Sequence, residues 1–199
     1  MEYGSLSYSS NGTDIIGATG GGYVNLPVTL SGDFQMSFDV YGNSNDVDSD
    51  ILFVSSGTDA GIQIRNCPQN TDTPNLYLEG GSHFADYNGF YWDHTTLATA
   101  ASTNFPLQTW THITLTKKGN TLTDNVGGQI LITDLTSLNL SSHLDVGLGY
   151  YATTNLGGVG QIEYRNILIT AIPEPSTYML MGLGIGTLAI MRRFRIPKR

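Results

Sequence analysis

Residues 33–41 read Asp-Phe-Gln-Met-Ser-Phe-Asp-Val-Tyr. In an extended chain Phe34, Met36, Phe38 and Val40 point one way, and Gln35, Ser37, Asp39 and Tyr41 the other. This period of two predicts an antiparallel strand with one face buried, and it splits the apolar set on any helix. The same signal recurs between residues 22 and 170. ILFVSS at 51–56 and GIQIRN at 61–66 predict two buried strands joined through Thr58-Asp59-Ala60. NLYLEGG at 75–81 predicts a short one. Residues 109–133 predict three strands, with turns at Lys118-Gly119-Asn120 and at Gly127-Gly128. Two adjacent glycines tolerate the positive φ angles that a tight hairpin demands. LDVGLGY at 144–150 and GQIEYRNILIT at 160–170 complete a set of about ten to twelve strands.

Composition agrees with that pattern. Only 13% of residues are charged, and 24 are glycine. Such a chain is poor in helix formers and rich in turn residues. Many short strands with turns between them predict an all-β, two-sheet antiparallel sandwich over residues 1–170. No helix is predicted before residue 171. The order of elements resembles a laminin-G or concanavalin A-like jelly roll. It runs from a Phe-rich strand through ILFVSS, Trp110-Thr111-His112-Ile113 and Gly119-Asn120-Thr121-Leu122 to Val126-Gly127-Gly128 and Gly160–Ile167. The hairpin departs from that family's usual form, since Gly127 stands where Asp is common.

The last 29 residues have a different character. Tyr178–Met191 carries no charge and, as a helix, would span about 21 Å against a hydrocarbon core of about 30 Å. A marginal transmembrane helix at 177–191 is therefore expected, followed by a basic tail at 192–199. Arg192, Arg193 and Arg195 place that tail on the cytoplasmic side by the positive-inside rule. Pro173 and Pro175 hold the backbone extended just outside the bilayer. Pro173-Glu174-Pro175-Ser176-Thr177, the apolar run and the arginines, in that order, resemble the PEP-CTERM sorting signal of exopolysaccharide-making Gram-negative bacteria. The resemblance implies that residues 171–199 form a sorting signal and that the partner is an exosortase. That peptidase would cut near Pro173–Pro175 and release the body from the inner membrane to the cell surface. It also implies an N-terminal signal peptide. MEYGSLSYSS shows neither a basic nor an apolar stretch, so the expectation is a natural start further upstream.

Charge narrows the ligands. Residues 1–172 hold sixteen of the acidic residues but only four basic ones, Arg65, Lys117, Lys118 and Arg165, a net charge of −12. Such a body repels phosphate backbones, so no nucleic acid partner is expected. Cys67 is the single cysteine, which rules out an intrachain disulfide. Asp46, Asp48 and Asp50 alternate within NSNDVDSD, and on a loop they could offer oxygens to calcium. The competing reading is a solvated acidic connection between strands. HFADYNGFYWDH at 83–94 concentrates five aromatics. Tyr87, Asn88, Tyr91, Trp92 and Asp93 are its candidates for carbohydrate: rings stack on aromatic planes, while Asn and Asp read hydroxyls. The competing reading is that these rings plug the core. No Glu-x-Asp-x-Glu run, Gly-x-Ser-x-Gly elbow or His-x-x-x-His pair is present, and the sequence predicts no enzyme. It favours an exported protein that binds exopolysaccharide without cleaving it. The alternatives are a structural surface or matrix protein with no specific ligand and, more remotely, a glycoside hydrolase-like enzyme.

Overall fold

The computed structural model describes residues 6–8, 15–17, 22–44, 47–55, 60–66, 76–81, 94–101, 103–152 and 162–173. They form thirteen strands: β1 Leu6–Tyr8, β2 Ile15–Gly17, β3 Gly22–Ser31, β4 Phe34–Gly42, β5 Val47–Ser55, β6 Gly61–Asn66, β7 Leu76–Gly81, β8 His94–Ala100, β9 Thr111–Lys118, β10 Thr121–Val126, β11 Gln129–Asp134, β12 His143–Ala152 and β13 Ile162–Ala171. One 3-10 turn, Thr136–Leu138, links β11 to β12. All strand pairs are antiparallel. The seven-stranded sheet runs β1-β2-β13-β4-β9-β10-β11, and the six-stranded sheet runs β3-β12-β5-β6-β7-β8.

The alternation in β4 becomes one wall of the core. Phe34, Met36, Phe38 and Val40 are fully or almost fully buried, and Gln35 is exposed. They meet Ile51 and Phe53 of β5, Ile62 and Ile64 of β6, Leu76 and Leu78 of β7, and Leu144, Val146 and Leu148 of β12. Phe34 and Phe53 bridge the layers with centroids 5.2 Å apart, and within the seven-stranded sheet Phe38 meets Tyr164 at 5.7 Å. The buried Tyr164 hydroxyl reaches across to Ser49 Oγ at 3.0 Å and to the Gly149 carbonyl. A second polar bridge joins the sheets through Asp124 of β10 and Asn66 of β6. The Asn66 carboxamide nitrogen faces Asp124 Oδ2 at 3.0 Å. Burial pushes the Asp124 carboxyl up to about 7, against the opposing pull of the Asn66 hydrogen bond.

Glycine is required at one close approach and eases another. Gly127 has φ +57, and a Cβ there would stand 2.4 Å from the Asn104 carbonyl oxygen. A Cβ on Gly80 would meet Leu138 Cδ1 at 2.6 Å, so β7 lies tight under the 3-10 turn.

Several strand placements differ from the sequence expectation, which names no strand at β1, β2 or β3. HTTLATA forms β8 although its small, threonine-rich run shows no clear apolar alternation. The acidic stretch at 46–50 is not wholly a loop, because β5 pairs with β12 from Val47 onward and draws Asp48 and Asp50 into the sheet.

Candidate functional site

On β5 the side chains of Ser49, Ile51 and Phe53 face the core, so alternation turns Asp50, Leu52 and Val54 to the far face of the six-stranded sheet. Register extends that face into two rows. Asp50 lies opposite Arg65, and Arg65 opposite Tyr77. Leu52 lies opposite Gln63, Gln63 opposite Glu79, and Glu79 opposite Thr96. The pairing of β7 with β8 shifts between Leu78 and Glu79, where Leu97 of β8 is the extra residue, while Glu79 keeps its register with Gln63.

These polar side chains are sunken. Asp50 is 0% exposed, Gln63 1% and Glu79 7%. Arg65 Nε donates to Asp50 Oδ1 at 3.3 Å, and Gln63 Nε2 donates to Oδ2 at 3.0 Å. A guanidinium, a carboxamide, a phenol and two carboxylates thus share one withdrawn patch. Hydroxyl-bearing ligands are read by such a mixture of fixed donors and acceptors. Asp50 is held by Arg65 and Gln63, so it is ill suited to act as a free acid or base.

The aromatic segment 82–93 connects β7 to β8, whose ends pair at Gly81 and His94. It is therefore anchored on this same sheet, two residues from Glu79. Tyr87, Asn88, Tyr91, Trp92 and Asp93 themselves lie outside the described residues. Of the calcium candidates, Asp46 lies outside them, Asp48 sits in the backbone of β5, and Asp50 is the buried partner of Arg65. Among the described residues no three His, Cys, Asp or Glu side chains gather as a metal site.

The far face of the seven-stranded sheet carries a second network. Asp39 of β4 lies between two cross-strand partners, His112 of β9 and Arg165 of β13. His112 Nδ1 is 2.8 Å from Asp39 Oδ1, and Arg165 Nε is 3.4 Å from Oδ2. A bulge after Arg165 puts Asn166 at φ +55, and its Nδ2 donates to Oδ2 at 2.7 Å. Burial raises the Asp39 carboxyl, but hydrogen bonds from His112, Asn166 and Arg165 outweigh it and hold the group below the usual carboxylate range. The Arg165 guanidinium carbon lies 3.8 Å from the centroid of Trp110, which packs against Tyr41 at 5.5 Å. Every oxygen of Asp39 is taken, so this network ties three strands together rather than presenting an open site.

Neither network was evident beforehand as a cluster. The signal was present in the alternation of Gln63 and Arg65 with Ile62 and Ile64, and of Tyr77 and Glu79 with Leu76 and Leu78. Only register shows that these positions become neighbours.

The two-sheet antiparallel architecture is a jelly roll of the concanavalin A-like kind. It is similar to a carbohydrate-binding module, CBM66, from Bacillus subtilis, with a TM-score of 0.61 and 11% identity over 84% of this chain and 92% of that one. A Bacillus licheniformis beta-glucanase aligns with a TM-score of 0.57 and 10% identity, over 87% and 90% of the two chains. The alginate lyase AlgAT5, of polysaccharide lyase family 7, aligns at 0.53 with 17% identity, over 86% and 83%. At these identities the likeness shows the fold alone. A search of the curated proteins finds no match.

Residues 171–195 match the model of the PEP-CTERM protein-sorting motif. A motif of this class implies exosortase sorting of an exported protein to the cell surface. Of its residues only Ala171, Ile172 and Pro173 are described; Glu174, Pro175, Ser176, Thr177, Arg192, Arg193 and Arg195 lie outside. The expected transmembrane helix at 177–191 lies there too. Among the described residues no helix is long and apolar enough to cross a membrane.

Proposed function

We propose that the sandwich is a non-catalytic carbohydrate-binding domain, working outside the cell on exopolysaccharide after release from a transient inner-membrane anchor. The observation that carries this reading is the sunken row of Asp50, Gln63, Arg65 and Glu79 on the far face of the six-stranded sheet, beside the anchor points of the aromatic segment. The likeness to a carbohydrate-binding module supports it at the level of fold. In this reading the partly exposed Arg65 and Tyr77 meet sugar hydroxyls, the buried Asp50 and Gln63 hold Arg65 in place beneath them, and Tyr91 and Trp92 supply the stacking planes. The Arg65 contact to Asp50 pins the carboxylate that a hydrolase would need to titrate, which favours binding over cleavage.

The test is retention on a polysaccharide array. Trp92→Ala and Tyr91→Ala are each expected to weaken retention about tenfold, the range of one lost stacking contact. No reducing ends should appear in the bound glycan. Undiminished retention in both variants would overturn the reading and leave a matrix protein without a specific ligand. Intact mass of protein from the culture medium should end near Pro173–Pro175, and Pro175→Ala should keep the chain in the membrane fraction.

A further inference from the structure

At one end of the sandwich three connections meet: the β3–β4 turn at Gly32, the β9–β10 turn at Gly119, and the link from β11 to β12. They enclose a cleft of about 410 Å³. That lies within the range of roughly 300–1,000 Å³ usual for small-molecule sites. Its wall is polar, with Lys117, Asn120, Thr136, Asn139, Ser141 and Ser142. Leu135 and Leu140 add an apolar floor. Asn139 holds the left-handed region at φ +47, directly after the 3-10 turn.

Charge in this cleft runs against the rest of the body. Of the four basic residues among 1–172, Arg65 is committed to Asp50 and Arg165 to Asp39. Lys117 lines the cleft and makes no ion pair among the described residues. Its Nζ donates only a long bond, 3.4 Å, to the Gly32 carbonyl. Among the described residues no carboxylate lines the cleft. The two that flank it are turned to backbone. Asp33 Oδ1 accepts from Gly119 N–H at 2.7 Å, and Asp134 Oδ1 accepts from the Thr136 N–H at 2.9 Å and hydroxyl at 2.6 Å.

We infer that this cleft binds a carboxylate-bearing sugar, a hexuronate unit of an acidic polysaccharide, at a second site separate from the sheet-face site. One ammonium matches one carboxylate. A doubly charged phosphate is poorly matched, because Gly119 N–H and Thr136 N–H, the amides that could share its charge, already serve Asp33 and Asp134. Ring hydroxyls find the Asn139 carboxamide and the Asn120 carboxamide oxygen, while the Asn120 nitrogen is held by Thr136 Oγ1 and the Ser141 and Ser142 hydroxyls by His143. The C–H face of the ring rests on Leu140. The sheet-face reading plays no part in this assignment, and variants of that face leave it standing.

The test titrates the full chain, held in zwitterionic micelles, with tetragalacturonate by calorimetry, and with maltotetraose and inorganic phosphate as comparisons. Tetragalacturonate is expected to bind at low salt and to weaken as salt rises. Lys117→Gln should weaken it about tenfold, the worth of a charge-assisted hydrogen bond, with the melting temperature unchanged. Leu168→Ser, at an exposed leucine away from the cleft, should bind as the unaltered chain does. Maltotetraose should bind about tenfold more weakly, and phosphate should not compete. Equal binding of the two tetrasaccharides, wild-type affinity in Lys117→Gln, competition by phosphate, or no heat with tetragalacturonate would each overturn the assignment.

Discussion

Two aspartates occupy matching positions on the two sheets, and their surroundings set them apart. Asp50 and Asp39 each sit in a strand opposite an arginine of the neighbouring strand, Arg65 and Arg165. The Asp50 side chain is 0% exposed, and that of Asp39 is 19% exposed beside a His112 that is 62% exposed. A paired carboxylate withdrawn from water depends on its partners, since loss of one leaves the other charged in a poor solvent. A solvated pair adds little, because water takes over when a partner leaves. One chemical pairing is thus a support on the six-stranded sheet and a surface fastening on the seven-stranded sheet.

The largest expected effect tests that contrast directly. Asp50→Ala should cost about 3–5 kcal/mol in urea unfolding, and Asp39→Ala about 1 kcal/mol or less. Equal losses would break the comparison. Next in size is pH dependence, where a third aspartate opposes Asp39. The Asp124 carboxyl titrates near 7 in the folded protein, against about 4 in the unfolded chain. Between those values the folded state holds a proton that the unfolded state has released. Stability from this group is therefore greatest below about pH 4, falls as pH rises to about 7, and is flat above. Asp39, held below the usual range, contributes with the opposite slope: its stabilisation is present above about pH 4 and is lost on further acidification. Asp124→Asn should flatten the fall toward pH 7 and gain roughly 2–4 kcal/mol at alkaline pH. The smallest effect belongs to the other bridge between sheets. Tyr164→Phe keeps the ring beside Phe38 but loses the hydroxyl contacts to Ser49 and Gly149, and should cost about 1–2 kcal/mol.

How much of this was legible in the sequence depends on range. β4 could be read from Phe34–Tyr41 because a half-buried strand writes its burial directly into alternate residues. The hairpin at Gly127-Gly128 was equally local, as both φ values are positive. β8 was not legible, since Thr95, Thr96, Ala98 and Thr99 give no apolar alternation and the strand is held by pairing with β7. Asp48 and Asp50 were read as loop because aspartate is depleted in strands. Their period of two was a strand signal overridden by residue type, and the long β5–β12 ladder decided it. The row of Asp50, Arg65, Gln63 and Glu79 stayed hidden because it is made by register across three strands, which no single stretch encodes.

The place of β13 has a consequence for biogenesis. Residues 162–171 are the last of the described strands in chain order, yet they insert between β2 and β4, and Ile172 N–H still bonds the Asp33 carbonyl at 2.9 Å. Among the described residues the β1–β2 pair is joined to the rest of its sheet only through this strand. A polypeptide threaded amino end first through a translocation channel therefore cannot close its seven-stranded layer until almost all of it has emerged. Maturation of the sandwich is thereby coupled to completion of transport, and a cut placed after Pro173 would leave all thirteen described strands in one piece.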